Sequence, residues 1–420
     1  MSGLAAIRDG RLTDRRLLEE GRLARALSAL DGRGEETRLV GGAVRDLALG
    51  EKPGDFDLAT TAPPDVVMRR AAVAGFGVAP TGLAHGTVTL IVEGRPIEVT
   101  TLRRDVATDG RHATVAFGRD FLADALRRDF TINALSLTRD GVVHDYVGGL
   151  ADLAAQRVRF IGEPRQRIRE DYLRILRFFR FSARYGGGAL DPAGLSAAID
   201  EREGLMILSR ERVRAELLKL LATPRAAAVT TAVCEAGLLG PLLAGHVDAA
   251  RLSRLVAIEA GRGEPPDPLL RLAALTLYVE EDAERLRERL RLSNAEFDRL
   301  AALGCALPVL HGIEAPPPIA ELRLLLFERR RRGALDALTL AQVDGGAPPD
   351  EARFADAYRF LAAAPEPTLP ITGADLVARG VARGRRVGEA LKSFQALWIR
   401  AGFPREPETL ARLLDEALRG

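Results

Sequence analysis

The chain has 420 residues, 47% apolar and 28% charged, with no low-complexity tract; this excludes a fibrous or disordered protein and predicts two to four domains, since the length exceeds one ordinary core. A formal charge of +2 neither announces nor excludes a polyanionic partner, because one basic face is enough to hold phosphates.

Residues 1–35 read as a helical extension, and their opening "MSGLAAIRDGRLTDRRLLEE" is too charged for a signal peptide. From 36 to 148, short runs broken by Gly, Pro and Asp predict a sheet: "TRLVGG", "DFDLAT", "GTVTLIVEG", "RPIEVTTL", "ATVAFG" and "GVVHDYVGG". "PPDVVMRRAAVAGF" predicts a helix starting after Pro64, and "DALRRDFTINALSL" a second, amphipathic helix. Beyond "GGLADLAAQRVRFIGEP" strand signals almost vanish, and Arg- and Leu-rich amphipathic segments predict helical modules over 149–222, 223–365 and 366–420, with Pro-rich breaks near 265, 316 and 366. Cys234 and Cys305 form no CxxC pair, so neither a disulfide scaffold nor a zinc site is indicated. No stretch reaches about 18 uninterrupted apolar residues, so the expectation is a cytoplasmic protein without a membrane partner.

If "DFDLAT" is a strand, Asp55 and Asp57 share a face while Phe56 and Leu58 point into the core. Two carboxylates held side by side repel, and a hard divalent cation relieves them, with Mg²⁺ the natural candidate. The plain alternative is a polar strand end. In "LVGGAVRD" a strand meets a helix at Gly41 and Gly42, where backbone N–H groups can approach phosphate; Arg45, one turn in, is either a triphosphate ligand or a surface arginine.

With these residues in view, the sequence resembles the class II tRNA nucleotidyltransferases (CCA-adding enzymes) and bacterial poly(A) polymerases of the polymerase-β-like superfamily. "GGAVRD…DFD", "RRDFTINAL" (127–135), "DYVGGLADL" (145–153), "EDYLRILR" (170–177) and "ERVRAEL" (211–217) match five motifs in the family's order. The resemblance implies an α+β fold: a nucleotidyltransferase head with a small mixed sheet over 36–148, then all-α neck, body and tail. It further implies ribose and triphosphate contacts for Arg128 and Asp129, assisted by Asn133, and a third carboxylate at Glu98. Their alternatives are a capped helix start, a buried Asn and a cross-strand salt bridge.

In the fourth motif Asp171, Arg174, Arg177 and Arg180 recur every three residues, which on a helix lines one wall of a pocket. Cytosine and adenine each present an exocyclic amine beside an unprotonated ring nitrogen, so a carboxylate and an arginine can accept both and refuse guanine and uracil. Asp171 with Arg174 takes that role by resemblance, and Arg177 and Arg180 hold phosphate or shape the pocket; the alternative is an intrahelical Asp171–Arg174 pair. Glu211, Arg212 and Glu216 are expected to brace this helix. A flexible loop is expected near 104–113, and "FERRRRG" (327–333) reads as a solvated helix end ahead of a tRNA contact. "LPITGADLVARGVARGRRVGEALK" (369–392) resembles the family's tail, a tRNA contact by hypothesis. The scattered histidines leave the ligand set of an appended metal-dependent phosphohydrolase absent. The resulting expectation is template-independent addition of C, C and A to tRNA from CTP and ATP. Its rivals are a poly(A), A-only or CC-only enzyme and, from another class, a non-catalytic RNA-binding protein.

Overall fold

Strands occupy the first part of the chain, as the β-rich runs predict. In the computed structural model, which describes residues 4, 6–83, 86–109 and 112–419, they are β1 (Ile7–Arg8), β2 (Arg11–Leu12), β3 (Thr37–Val40), β4 (Asp57–Thr60), β5 (Gly77–Gly82), β6 (Thr87–Val92), β7 (Arg95–Thr101), β8 (Arg103–Asp109), β9 (His112–Phe117), β10 (Ser136–Leu137) and β11 (Val143–His144). Seven form one mixed sheet in the order β11-β10-β3-β4-β7-β6-β5, with β4 and β7 parallel and the other neighbours antiparallel. Period-two burial explains the pleat: in "TVTLIV" Val88, Leu90 and Val92 are buried while Thr87, Thr89 and Ile91 turn away. Helices α1 (Arg16–Glu19), α2 (Gly21–Leu30), α3 (Gly42–Ala48) and α4 (Pro64–Val73) follow, and Leu23, Leu27, Leu30, Val67 and Ala71 join Leu39, Leu58, Leu90, Ile97 and Val99 in the core.

Four expectations change here. The extension over 1–35 is not helical throughout, because β1 and β2 pair antiparallel ahead of α1 and α2. The strand in "DFDLAT" begins only at Asp57, so Asp55 and Asp57 do not share a strand face; Phe56 is buried and takes Asp55 into the approach to β4. The helix expected over "DALRRDFTINALSL" stops early. Helix α5 (Phe121–Leu126) ends at Arg127, Phe130 is extended (φ −120°), Thr131–Asn133 make one 3₁₀ turn and β10 follows. Side chains supply the reason: Asp129 accepts the N–H of Phe130 and the amide of Asn133, a local alternative that competes with helix. The loop expected over 104–113 is, where described, the β8–β9 hairpin; its tip at 110–111 lies outside the described residues.

Continuing in the same unit, which spans Met1–Leu238, are α6 (Gly149–Ala154), α7 (Pro164–Glu170), α8 (Leu173–Tyr185), α9 (Pro192–Asp200), α10 (Arg210–Leu221) and α11 (Ala226–Glu235). Helix α8 is amphipathic: Ile175, Leu176, Phe178 and Phe179 are buried, and Arg174, Arg177, Arg180 and Arg184 occupy the more open side.

A second unit, Leu239–Gly420, is helical throughout its described elements. Its helices are α12 (Leu239–Leu243), α13 (Ala249–Arg262), α14 (Pro268–Thr276), α15 (Glu280–Leu290), α16 (Asn294–Ala306), α17 (Ile319–Asp344), α18 (Ala352–Ala363), α19 (Gly373–Ala378), α20 (Arg385–Arg400) and α21 (Pro407–Arg419). "FERRRRG" is no solvated helix end. Helix α17 kinks at Arg330 (φ 57°), Arg331 donates to the carbonyls of Leu361 and Ala364 at the end of α18, and Arg332 pairs with Asp267 and Asp336. Among the described residues no helix is long and apolar enough to cross a membrane.

Candidate active site

The site grows from the β3–β4–β7 register, in which Asp57 lies between Val40 on one side and Glu98 on the other. Asp57 is exposed at the start of β4, yet the protein packed on one side of its carboxyl raises it above the usual carboxylate range, the charges of Glu98 and Asp55 push the same way, and that of Arg128 opposes them. A carboxyl in this condition is relieved by a cation. Among the described residues no three His, Cys, Asp or Glu side chains close round a metal by themselves. Neighbouring carboxylates suit a hard ion that completes its shell from water and substrate phosphates.

Above β3 the chain turns at Gly41 with φ 74°, which a side chain would strain, and a Cβ there would meet Nη1 of Arg128 at 3.0 Å. Arg128 thus reaches close over the glycine backbone. It starts from α5, where buried Asp124 accepts from the Nε of Arg127 at 2.9 Å and from the Nε and Nη2 of Arg128 at 3.1 and 2.9 Å.

Asp129, Asn133 and Arg45 form one polar chain. Arg177 donates to Asp129 through Nε and Nη2 at 2.7 and 2.6 Å, Asn133 donates to Asp129 at 3.1 Å, and Arg45 donates to the side-chain oxygen of Asn133 at 2.6 Å. Burial alone would raise the Asp129 carboxyl, but Arg177 and the donated hydrogen bonds hold it below the usual range. Arg45 is not the surface arginine of the sequence reading. It is buried, bonds Asp46 at 2.8 Å, and lies 4.1 Å from the ring centre of Tyr185. The third motif supports this chain from behind: Asp145 accepts the N–H groups of Gly149 and Leu150, and a Cβ on Gly149 would sit 2.3 Å from the Thr131 carbonyl.

Asp171 lies not on the arginine helix but at the end of α7, two residues before α8 begins. Its carboxylate accepts from the Leu173 N–H at 3.1 Å and from Arg212 on α10 at 2.7 Å. The intrahelical Asp171–Arg174 pair gives way to Arg174–Glu170 at 2.6 Å, with a further bond from Arg174 to the Arg167 carbonyl at 2.8 Å. Glu216 accepts from Arg180 at 2.6 Å, while Glu211 stands exposed on the first turn of α10.

These side chains enclose a cavity of about 480 Å³ whose lining includes every residue singled out above as a metal or nucleotide ligand except Asp55 and Glu98. Gly41, Arg127 and Phe181 complete it. Arg127 stood inside a quoted motif without a role, and Phe181 was legible only as an apolar residue; its ring lies 4.2 Å from the guanidinium of Arg180 and 5.3 Å from that of Arg177. Asp124 was missed although its spacing to Arg127 and Arg128, three and four residues, is a readable signal. Arg167, whose Nη2 donates to the carbonyls of Arg127 and Arg128, gave none.

A basic cavity of nucleotide size, lined by Asp57 from the first residue of β4 in a small mixed sheet, is the site of a nucleotidyltransferase. A family model described as the poly A polymerase head domain matches residues 37–159, and another, described as a probable RNA and SrmB-binding site of polymerase A, matches 189–249. The mitochondrial CCA tRNA nucleotidyltransferase 1 of Mus musculus is 34% identical over 384 residues, 89% of this chain and 85% of that one. The CCA-adding enzyme of Geobacillus stearothermophilus is 33% identical over 408 residues, 94% and 96% of the two chains. Among solved structures, the Bacillus stearothermophilus CCA-adding enzyme in complex with CTP matches with a TM-score of 0.72 at 29% identity, covering 95% of this chain and 97% of that one. The chain belongs to the class II CCA-adding enzyme and poly(A) polymerase family.

Proposed function

We propose that the protein adds C, C and A to the 3′ end of tRNA, using CTP and ATP and releasing pyrophosphate, with Mg²⁺ held by Asp55 and Asp57 and Glu98 beside them. The observation that carries this reading is that Asp57 and the Asp171–Arg174 pair line one cavity large enough for a single nucleotide. The relatives that span most of the chain bear the name of that activity.

Asp171 and Arg174 meet the Watson–Crick edge of the incoming base, the carboxylate accepting from the exocyclic amine and the guanidinium donating to the ring nitrogen. Arg212 and Glu170 hold this pair to a fixed shape, so selection needs no nucleic-acid template. Arg128 and Asp129 face ribose and triphosphate, while Arg177 and Asn133 keep Asp129 charged and oriented. Arg45 acts through Asn133 and braces the cavity. Bound at the carboxylates, Mg²⁺ would lower the pKa of the RNA 3′-hydroxyl and neutralise the departing pyrophosphate. The remaining contribution is positioning.

The finer partition into extension (1–35), head (36–148), neck (149–222), body (223–365) and tail (366–420) is part of this proposal, with tRNA phosphates met by the tail. The place of action proposed with it is the cytoplasm. The test is to supply Mg²⁺ and a tRNA transcript lacking its last three nucleotides, with each NTP alone and then CTP with ATP, and to read product length at single-nucleotide resolution. Two additions from CTP and a third from the mixture are expected. A long ladder from ATP alone would make the protein a poly(A) polymerase, and no extension would leave an RNA-binding protein.

A further inference from the structure

Asp124 belongs neither to the carboxylates beside Asp57 nor to the base-reading pair, yet it is 3% exposed and carries two arginines at once. One oxygen accepts from Nε and Nη2 of Arg127, the other from Nε and Nη2 of Arg128. Each guanidinium is thus held along its Nε–Nη2 edge by one oxygen that both N–H groups share, a charge-assisted contact that keeps that edge turned to the carboxylate. The opposite edge stays turned from the carboxylate: Nη1 of Arg128 lies 3.4 Å from the Asn133 carbonyl and crowds Gly41. From the backbone side, Nη2 of Arg167 donates to the carbonyls of both arginines. The dipeptide is clamped from two directions, and both of its side chains line the cavity that holds Asp57.

We infer that Asp124 is a positioning residue that aims Arg127 and Arg128 at the phosphates of the incoming nucleotide, an inference resting on the reaction proposed above. Arg128 lies close enough to Asp57 for its charge to oppose the raised carboxyl, and both line one cavity, so phosphates bound beside Asp57 come within its reach. A pair on an exposed helix would look different: an ordinary i,i+4 contact neither buries its carboxylate nor divides its two oxygens between two guanidinium groups. Burial by itself would raise the Asp124 carboxyl, but Arg128 and Arg127 hold it below the usual range, so the clamp is charged at neutral pH. An amide in its place would keep one acceptor and turn an N–H₂ toward the other arginine, donor against donor, releasing one of the pair.

The test uses the full-length chain as Asp124→Asn and Asp124→Glu, with calorimetric affinities for CTP and CMP and steady-state addition to tRNA lacking its last three nucleotides. For Asp124→Asn, CTP affinity should fall about ten- to a hundredfold, the size of one charged hydrogen-bond set, with CMP affinity within about twofold. kcat/KM for CTP and ATP should fall together, with the preference for CTP over UTP unchanged. Asp124→Glu should restore part of the CTP-to-CMP ratio, and it carries the same ratio test if the amide variant does not fold. Equal losses for CTP and CMP, or no loss in either variant, would overturn the inference. Wild-type protein that binds CTP but extends no RNA would defeat the proposed reaction, while the CTP-to-CMP ratio would still decide the role of Asp124.

Discussion

At the scale of single residues, Asp57 has the clearest conflict between folding and function. Although exposed, its carboxyl is raised by partial loss of solvent and by the charges of Glu98 and Asp55, so ionising it costs the fold something that a bound cation would return. The folded pKa lies above the unfolded one; its favourable term is complete below the unfolded value and is lost as pH rises through the folded value. Asp57→Asn should therefore abolish nucleotide addition and yet melt higher than the wild type in EDTA at pH 7 to 8. The gap should close as pH falls below the ordinary carboxylate range near 3.8, and Mg²⁺ should narrow it at neutral pH by stabilising the wild type alone. Melting curves against pH, with and without the ion, decide it; a wild type that melts higher in EDTA at every pH would refute it. A second residue-scale case is steric. A Cβ on Gly204 would lie 1.9 to 2.3 Å from ring atoms of Tyr172, the side chain next to Asp171. Because a ring close to its own backbone has little room to retreat, Gly204→Ala should cost about 1–3 kcal/mol. It should also weaken discrimination of CTP against UTP, whereas overpacking confined to the fold would lower the melting temperature and leave discrimination intact.

At the scale of elements, the proposed base selection rests on the α7–α8 junction and on α10, which approaches from about forty residues further along the chain. Arg212 holds Asp171, and Glu216, with a side chain 6% exposed, holds Arg180. Glu216→Ala leaves a mostly buried arginine without its carboxylate and should cost about 3 kcal/mol, measurable by chemical denaturation. Arg212→Ala removes a more exposed partner, so stability should change by less than about 1 kcal/mol while KM for CTP and ATP rises severalfold. A stability loss as large as that of Glu216→Ala, with unchanged KM, would contradict this division of labour. These elements also show where the sequence was legible. The glycine turn and the arginines of α8 were readable because each is a local pattern whose spacing fixes its face, whereas the Asp-x-Asp spacing misassigned the face of Asp55, since β4 begins only at Asp57. The seat of Asp171 was not, since three-residue spacing runs on through a helix break that depends on tertiary contacts, including the Tyr172–Gly204 approach. Nor was the interruption after Leu126 legible: the pattern is amphipathic, but the hydrogen bonds of Asp129 and the backbone grip of Arg167 outweigh its helical period.

For the whole molecule the near-balance of charge matters, because a net +2 over 420 residues gives little indiscriminate attraction to RNA. The longest arginine run does not change this: Arg331 and Arg332 are committed to helix-end carbonyls and to Asp267 and Asp336 within their own unit. Exposed basic residues remain around the start of α20, among them Arg383, Arg385, Arg386 and Lys392, and Arg385 is paired with Glu389. If these meet tRNA phosphates, as the proposed tail does, binding should follow counterion release and steepen with salt according to the number of contacts. Raising salt from about 50 to 200 mM should then weaken tRNA binding at least about tenfold. CTP binding, made in a partly enclosed cavity by paired and oriented groups, should change by less than about threefold. Arg383→Ala and Arg386→Ala should each flatten the logarithmic salt slope for tRNA by about one, without altering CTP affinity. Filter binding across a salt series provides the slope. Slopes unchanged in both variants would move the phosphate contacts off this helix end, whereas a CTP affinity as salt-sensitive as that of tRNA would mean that the cavity attracts nucleotide by field alone and holds it by little else.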